Sequence, residues 1–174
     1  MNKKRSLCLL LSLAMVFGLF VGFASAAEGD EVTLQILATS DIHAKFYNYD
    51  YALNEPSEAG SMLQLATAIK ELKNDNTLII DNGDTIQGTS SELFLEGENP
   101  MVQGMNEMGY DIWVPGNHEF NYGVPVYQHM MSQFKGKSLL GNVYDKDGKA
   151  LADAYTIVEK GGVKIGVIGM VTPN

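Results

Sequence analysis

The sequence predicts a layered α/β fold with a mixed, largely parallel central sheet. Short apolar strands and amphipathic helices alternate along the chain, from a first strand to a fourth, and this order is typical of parallel sheets. A final pair of strands around a glycine turn predicts an antiparallel portion. The composition, 45% hydrophobic and 19% charged residues, excludes a disordered tail, a collagen-like fibre and a coiled coil.

The strands are predicted from short runs of apolar and β-branched residues bounded by turn residues. The first run alternates between apolar and polar residues, and the second is a continuous apolar run typical of a buried strand. The last two runs flank Lys160-Gly161-Gly162, a sequence that favours a hairpin turn. In chain order, the predicted strands span residues 32–39, 77–80, 111–114, 138–144, 155–159 and 163–170.

Three helices are predicted from apolar side chains that recur at helical spacing. The second has Pro100 in its first turn, a position where proline is well tolerated. Residues 46–60, rich in Tyr, Asn and Glu, are predicted as a loop. The predicted helices span residues 61–73, 100–108 and 125–134. The apolar residues at helical spacing are Met62, Leu65, Ile69 and Leu72 in the first, Met101, Met105 and Met108 on one face of the second, and the inward-facing Tyr127, Met130, Met131 and Phe134 in the third.

The first 26 residues have the layout of a secretory signal peptide. Lys3, Lys4 and Arg5 precede an apolar run over 7–23, and the small residues Ala-Ser-Ala follow at 24–26. The alternative is an uncleaved membrane anchor, because the apolar run has about the minimum length that spans a bilayer. The small-residue site favours cleavage, so we expect a secreted, periplasmic or cell-surface protein.

The mature chain is then residues 27–174, a strongly acidic segment. Loss of three positive charges changes the net charge from −9 to −12. Such a surface repels polyanions, which argues against binding to polymeric nucleic acid. No second apolar run is long enough to cross a membrane, and Cys8, the only cysteine, lies within the predicted signal peptide. An anionic substrate would need local positive charge, which bound metal ions supply.

Three polar motifs each follow a predicted strand. They are Asp41-Ile42-His43, Asp81-Asn82-Gly83-Asp84 and Pro115-Gly116-Asn117-His118-Glu119. Each motif alone is compatible with an ordinary turn or cap. In an open α/β sheet, however, ligands bind outside the carboxyl ends of the strands, and parallel strands place all three motifs at one edge. The conjunction predicts a metal site.

The ligand types restrict the metal and the reaction. Aspartate, histidine and asparagine side chains suit Mn, Zn, Fe, Co or Mg rather than copper(I) or an iron–sulfur cluster. A carboxylate can bridge two ions, and Asp84 belongs to the middle of the three loops. Two such ions clamp a phosphate and activate water, while His118 can donate a proton to the leaving oxygen. The chain has no nucleophile-elbow serine and no phosphate-binding P-loop.

Other polar and aromatic residues favour simpler roles. His129 is predicted as a solvated helical residue, and Trp113 as a core residue at the end of a strand. The tyrosines at 47, 49 and 51 could flank a substrate, although packing within the loop is favoured. Asn142 is compatible with contact to the site or with a turn.

The three motifs resemble the opening motifs of the calcineurin-like metallophosphoesterases, and within them the secreted 5′-nucleotidase group. The branch most similar to this sequence is the 2′,3′-cyclic-nucleotide 2′-phosphodiesterase/3′-nucleotidases. The similarity runs from residue 32 to residue 174 and is carried by Asp41-Ile42-His43 and by residues 81–88 and 116–123. The order and spacing of the motifs are highly specific for the superfamily and less so for the branch.

The resemblance implies a two-metal site that hydrolyses phosphate esters of nucleotides. Asp41 and His43 would hold the first ion, Asp84 would bridge both, and Asn117 would hold the second. His118 would stabilise the transition state or protonate the leaving group. The 5′-nucleotidase members usually carry Asp three residues after this histidine, whereas this sequence has Asn121, which favours the cyclic-nucleotide branch.

The chain stops directly after an apolar strand, which leads us to expect a truncated C-terminus. The resemblance implies that further metal-binding histidines and a nucleoside-recognition domain would lie beyond Asn174. Two alternatives therefore remain open. In the first, the chain would be an inactive, secreted metal-binding fragment. In the second, the same fold would act on another ester, such as a sugar nucleotide or a sulfur ester.

Overall fold

The core of the fold is a four-stranded parallel sheet. The structure is a computed structural model and describes residues 31–51, 53–58, 60–88 and 94–172. The predicted signal peptide, residues 1–26, lies outside the described residues. The strands are β1 (Gln35–Thr39), β2 (Tyr49–Asp50), β3 (Glu55–Pro56), β4 (Thr77–Asp81), β5 (Ile112–Trp113), β6 (Lys137–Ser138), β7 (Tyr155–Lys160) and β8 (Val163–Ile168). The helices are α1 (Met62–Leu72), α2 (Pro100–Met108), α3 (Val124–Gln133) and a 3₁₀ turn, His118–Phe120.

The parallel sheet has the strand order β1-β4-β5-β6. Strands β1 and β4 pair over their full length and end at the register pair Thr39 and Asp81. Asp81 in turn lies opposite Trp113 of β5. The carboxyl ends of β1, β4 and β5 therefore meet at one edge of the sheet, as the sequence predicts. The antiparallel pairs β2-β3 and β7-β8 form separate two-stranded sheets.

Strand β4 is buried on both faces because its side chains alternate between two cores. Ile79 packs into the larger core with residues of all three helices, including Met62, Met105 and Met130. Leu78 packs on the opposite face. That second core is formed by Leu78, Ile112, Val114 and Leu139, against which Ile80 and the hairpin residues Val158, Ile165 and Val167 pack.

The helix ends follow from local capping chemistry. The Ser61 side chain accepts a hydrogen bond from the Gln64 amide at the start of α1. Asn99 caps α2 in the same way, with Pro100 at the first helical position, and Gly109 ends α2 in the left-handed conformation. All three helices begin and end within one residue of their predicted bounds. None of the helices in the described part of the chain is long and apolar enough to cross a bilayer.

The first predicted strand, 32–39, begins at Gln35, and two other predictions differ more from the structure. The predicted strand 138–144 pairs only at its start, since β6 is Lys137–Ser138. Beyond it, the Leu140 amide donates to the Asp153 carbonyl and the Gly141 amide to the Gly169 carbonyl, so the chain leaves the sheet. The predicted loop 46–60 contains the short β2-β3 ladder, which the sequence analysis missed.

A buried carboxyl group lies at the end of β4. The Asp81 side chain is fully buried and accepts hydrogen bonds from the Thr39 hydroxyl (2.6 Å), the Thr85 hydroxyl (2.7 Å) and the Gly83 amide (3.0 Å). Because Thr39 gives its only proton to Asp81, the contact of its hydroxyl with Tyr110 at 3.0 Å makes Tyr110 the donor. Burial outweighs these hydrogen bonds and raises the pKa of Asp81 to about 6.

We predict that Asp81 makes the stability of the metal-free protein fall as the pH rises from 4 to 7. The pKa is raised from 3.8 to about 6, so the folded state binds the proton more tightly than the unfolded state. Its contribution is complete below pH 3.8 and is lost as the pH rises through 6. At 1.36 kcal/mol per unit, the change in the free energy of unfolding is about 3 kcal/mol.

The measurement is urea denaturation of Asp81→Asn and wild type across this pH range in the presence of a chelator. As the pH rises, the free energy of unfolding of the wild type should fall relative to that of Asp81→Asn. Asp75→Asn, at an exposed carboxylate, is the matched control and should follow the wild-type profile. Parallel profiles for Asp81→Asn and wild type would contradict the prediction.

Candidate metal centre

The first two motif loops run side by side beyond the end of the sheet. The amide of Asp41 donates to the Gly83 carbonyl at 2.9 Å, and the amide of His43 donates to the Asp84 carbonyl at 2.9 Å. The next amide, that of Ala44, donates to the Thr85 carbonyl at 2.8 Å. These hydrogen bonds hold the two loops together although the sheet has ended.

The backbone takes left-handed turns at the predicted ligands themselves. The φ angles are 57° at Asp41, 50° at His43, 53° at Ala44 and 56° at Asp84. Residues other than glycine rarely adopt this region, and Asp and Asn tolerate it best. The turns direct the side chains of three predicted ligands to one place.

Asp41, His43 and Asp84 form a cluster with the composition of a metal site. One oxygen of each carboxylate and one ring nitrogen lie within 4.8 Å of one another. His43 Nε2 is 3.8 Å from Asp41 Oδ1, and both side chains are partly exposed to solvent. Two carboxylates and an imidazole fit a divalent ion such as Mn, Zn or Fe.

The other nitrogen of His43 faces Gln87. His43 Nδ1 lies 3.2 Å from both the backbone carbonyl oxygen and the side-chain Oε1 of Gln87. Gln87 therefore contacts one nitrogen of the imidazole, and the other nitrogen, Nε2, faces Asp41. The sequence analysis assigned no role to Gln87, which stands three residues after Asp84.

The third loop brings His118 to the cluster. The His118 amide donates to Asp84 Oδ1 at 2.9 Å, and the rings of His118 and His43 meet edge to face at 5.3 Å. The amide nitrogen of the Asn121 side chain donates to His118 Nδ1 at 3.0 Å. Asn117, half-buried, is the residue directly before the 3₁₀ turn.

Glu119 joins the second and third loops. Its side chain is fully buried, and its two oxygens accept hydrogen bonds from four backbone amides. Oε1 accepts from Thr85 (2.7 Å) and Ile86 (3.1 Å), and Oε2 accepts from Asp84 (2.7 Å) and Gly116 (2.6 Å). The motif pattern marks Glu119 only as part of a polar run. Its role as the link between loops requires the tertiary structure.

Two glycines allow the same loops to approach closely. A Cβ atom on Gly83, whose φ is 89°, would collide with the backbone nitrogen of Gly116. A Cβ atom on Gly116 would collide with the carboxylate of Asp84. Both positions therefore require glycine.

The residues given simpler roles lie as follows. Trp113 is fully buried, and the His129 side chain is exposed, with Nε2 3.1 Å from the Gly97 carbonyl oxygen. Asn142 pairs with both backbone groups of Val171, which is a structural role. Tyr49 contacts the ring of Tyr51 and donates to Asn54, and Tyr47 contacts the ring of Phe46. These contacts lie within the loop, although Tyr47 and Tyr51 are exposed to solvent.

The fold and the site define a class of α/β protein with polar, metal-compatible loops at the carboxyl edge of a parallel sheet. The calcineurin-like phosphoesterase model matches residues 34–172, and the chain belongs to that family. The sequence-based resemblance to the superfamily is confirmed.

Curated relatives cover nearly the whole chain. It is 30% identical to a 2′,3′-cyclic-nucleotide 2′-phosphodiesterase/3′-nucleotidase of Yersinia enterocolitica, over 94% of this chain and 28% of the relative. It is 33% identical to a protein of the same name from Haemophilus influenzae, over 87% of this chain and 26% of the relative. The chain thus spans about a quarter of the length of these relatives.

A solved structure has the same fold. The calcineurin-like phosphoesterase YfkN of Bacillus subtilis superposes with a TM-score of 0.70 at 31% identity. The match covers 80% of this chain and 48% of that one. The predicted α/β metallophosphoesterase fold is thereby confirmed.

We predict that Glu119→Gln destabilises the protein by about 2–4 kcal/mol, since hydrogen bonds to a charged group contribute about 1.5–3 kcal/mol each. Either orientation of the new amide turns its NH₂ group toward two backbone amides that now donate to Glu119. Urea denaturation monitored by circular dichroism measures the loss. Glu107→Gln, at an exposed position on α2, is the control and should change stability little. Equal midpoints for the two variants would remove Glu119 from this role.

Proposed function

We propose that this chain carries the metal site of a metal-dependent phosphoesterase that hydrolyses phosphate esters of nucleotides. The observation that carries the proposal is the cluster of Asp41, His43 and Asp84, with the His118 ring against it. Metal ions supply the positive charge that a phosphate ester needs on a chain with net charge −9.

We propose that these residues serve two divalent ions. Asp41 and His43 would hold the first ion, and Asp84 would be shared between both. Asn117, in the loop whose next amide donates to Asp84, would contribute its side-chain oxygen to the second. Carboxylate, imidazole and amide donors suit Mn, Zn, Fe, Co or Mg. When bound, such ions supply Lewis-acid activation of the phosphate ester and of water.

His118 is proposed as the proton donor to the leaving oxygen. Its Nδ1 accepts a hydrogen bond from the Asn121 amide, so the neutral ring carries its proton on Nε2. A donor with the proton already on its outer nitrogen can hydrogen-bond the leaving oxygen and then transfer the proton. The amide of His118 meanwhile donates to Asp84 and fixes the position of the residue.

The substrate class follows from the relatives. Two of them are named as 2′,3′-cyclic-nucleotide 2′-phosphodiesterase/3′-nucleotidases, which makes 2′,3′-cyclic AMP and 3′-AMP the first compounds to test. Asn121, at the position where the 5′-nucleotidase group usually has Asp, supports this choice over 5′-AMP. A sugar nucleotide tests the remaining alternative in the same phosphate-release assay.

Export is part of the proposal. The basic residues 3–5, the apolar run 7–23 and the small residues 24–26 support a cleaved signal peptide. Residues 27–174 would then form the N-terminal part of a phosphoesterase domain outside the cytoplasm. Sequencing the N-terminus of the protein recovered from the producing cell tests cleavage directly.

We predict that the protein binds a divalent transition metal and that Asp84→Ala and His43→Ala each lower its metal content. Each change removes one donor of the three-residue cluster. Elemental analysis of purified protein, dialysed against Mn or Zn, measures the content per chain. Asp75→Ala, an exposed carboxylate outside the cluster, is the control. Unchanged metal content in both cluster variants would disprove the site.

We predict that His118→Ala in the complete gene product lowers turnover by ~10²–10⁴-fold, the usual contribution of a general acid. Metal content should stay near the wild-type value, because the proposed ligand is the neighbouring Asn117. Initial rates with 2′,3′-cyclic AMP and elemental analysis are compared on the same samples. His129→Ala, at an exposed histidine on α3, is the control. If metal and activity are lost in parallel, His118 acts as a ligand or a structural residue instead.

A further inference from the structure

We infer that Gln87 is a positioning residue that fixes the tautomer and the ring orientation of His43. The inference rests on the proposed metal site and adds a residue to it. Gln87 approaches the ring nitrogen that faces away from the cluster and leaves the other nitrogen available for the ion.

The tautomer follows from the donors and acceptors around the ring. His43 Nδ1 lies 3.2 Å from the Gln87 carbonyl oxygen, and a carbonyl oxygen can only accept. The neutral ring must therefore carry its proton on Nδ1. The side-chain Oε1 of Gln87, also at 3.2 Å, accepts from the same proton on the same side. Nε2 is then unprotonated and faces Asp41 Oδ1, 3.8 Å away.

The backbone holds Gln87 in this position. The loop that follows Asp84 runs against the first loop, because His43 donates to the Asp84 carbonyl and Ala44 donates to the Thr85 carbonyl. Gly88, with φ at 137°, lies so close that a Cβ atom there would collide with the carbonyl oxygen of His43. The close approach of Gly88 keeps the Gln87 carbonyl beside the ring.

The side chain of Gln87 provides a second acceptor for the His43 ring, in addition to the backbone carbonyl. The His43 side chain is 41% exposed, so the surrounding protein encloses the ring only in part. Two acceptors on one N–H restrict the ring plane as well as the proton. Outer hydrogen bonds of this kind orient metal-binding histidines and raise their basicity, and their loss typically costs ~10–100-fold in metal affinity.

The test uses the full chain and two readouts. Gln87→Met removes the side-chain acceptor at similar size, and calorimetric titration with Zn²⁺ at fixed pH should show about tenfold weaker binding. Long-range ¹H–¹⁵N spectra of the metal-free, histidine-labelled protein should show His43 protonated on Nδ1 in the wild type. In Gln87→Met, which keeps the backbone carbonyl, the proton should stay on Nδ1, so the weaker Zn²⁺ binding reports the loss of ring orientation. Gln103→Met, at a half-buried glutamine on α2, is the control and should change neither readout.

The conservative variant makes the test independent of the fold of Gln87→Met. Gln87→Glu keeps an acceptor facing Nδ1 and should bind Zn²⁺ at least as tightly as wild type, with the proton still on Nδ1. Wild-type affinity for Zn²⁺ in Gln87→Met, or a proton on Nε2 in the wild type or in Gln87→Glu, would overturn the inference. Failure of the proposed site gives a different result, since His43→Ala would then bind Zn²⁺ like wild type.

Discussion

The candidate site depends on one buried carboxylate, that of Glu119. Four backbone amides from two loops donate to it, so a charge in the interior is balanced by donors that would otherwise be unpaired. The same hydrogen bonds hold Asp84 and the start of the third loop against each other. His118 then reaches Asp84 through its own amide. The geometry of the metal-compatible cluster thus depends on Glu119, a buried residue outside the cluster that binds the backbone of the loops.

Features set by local sequence were predictable. Helix spacing, caps and the strand–helix alternation depend on neighbours along the chain, and these predictions are confirmed for the helices and for the parallel sheet. The convergence of Asp41, His43 and Asp84 was also predictable, because parallel strands present their carboxyl ends at one edge. The general rule about sheet edges supplied the long-range information that the motifs themselves lack.

Features set by tertiary contact were not predictable. The apolar run after Ser138 looks like a strand, and the Leu139 amide still donates to the Trp113 carbonyl of β5. The next two amides donate to the carbonyls of Asp153 and Gly169 instead. Glu119 binds backbone amides and Gln87 binds a ring nitrogen of His43, and only the folded loops bring these groups near one another. The spacing of the two residues in the sequence does not indicate either role. Together with Asn121, Gln87 places opposite tautomers on the two facing imidazoles. His43 offers a lone pair, and His118 offers a proton.

The left-handed backbone at Asp41 and Asp84 restricts which residue types these two positions accept. Aspartate meets two separate requirements at each position, a tolerated backbone turn and an anionic oxygen. Asparagine meets the first and loses the charge, whereas glutamate keeps the charge and accepts the turn poorly, at a cost of about 1–2 kcal/mol for a residue forced into this region. Alanine lacks the anionic oxygen. An asparagine substitution at either position keeps a tolerated turn and removes the charge, so it separates the contribution of charge from that of backbone conformation.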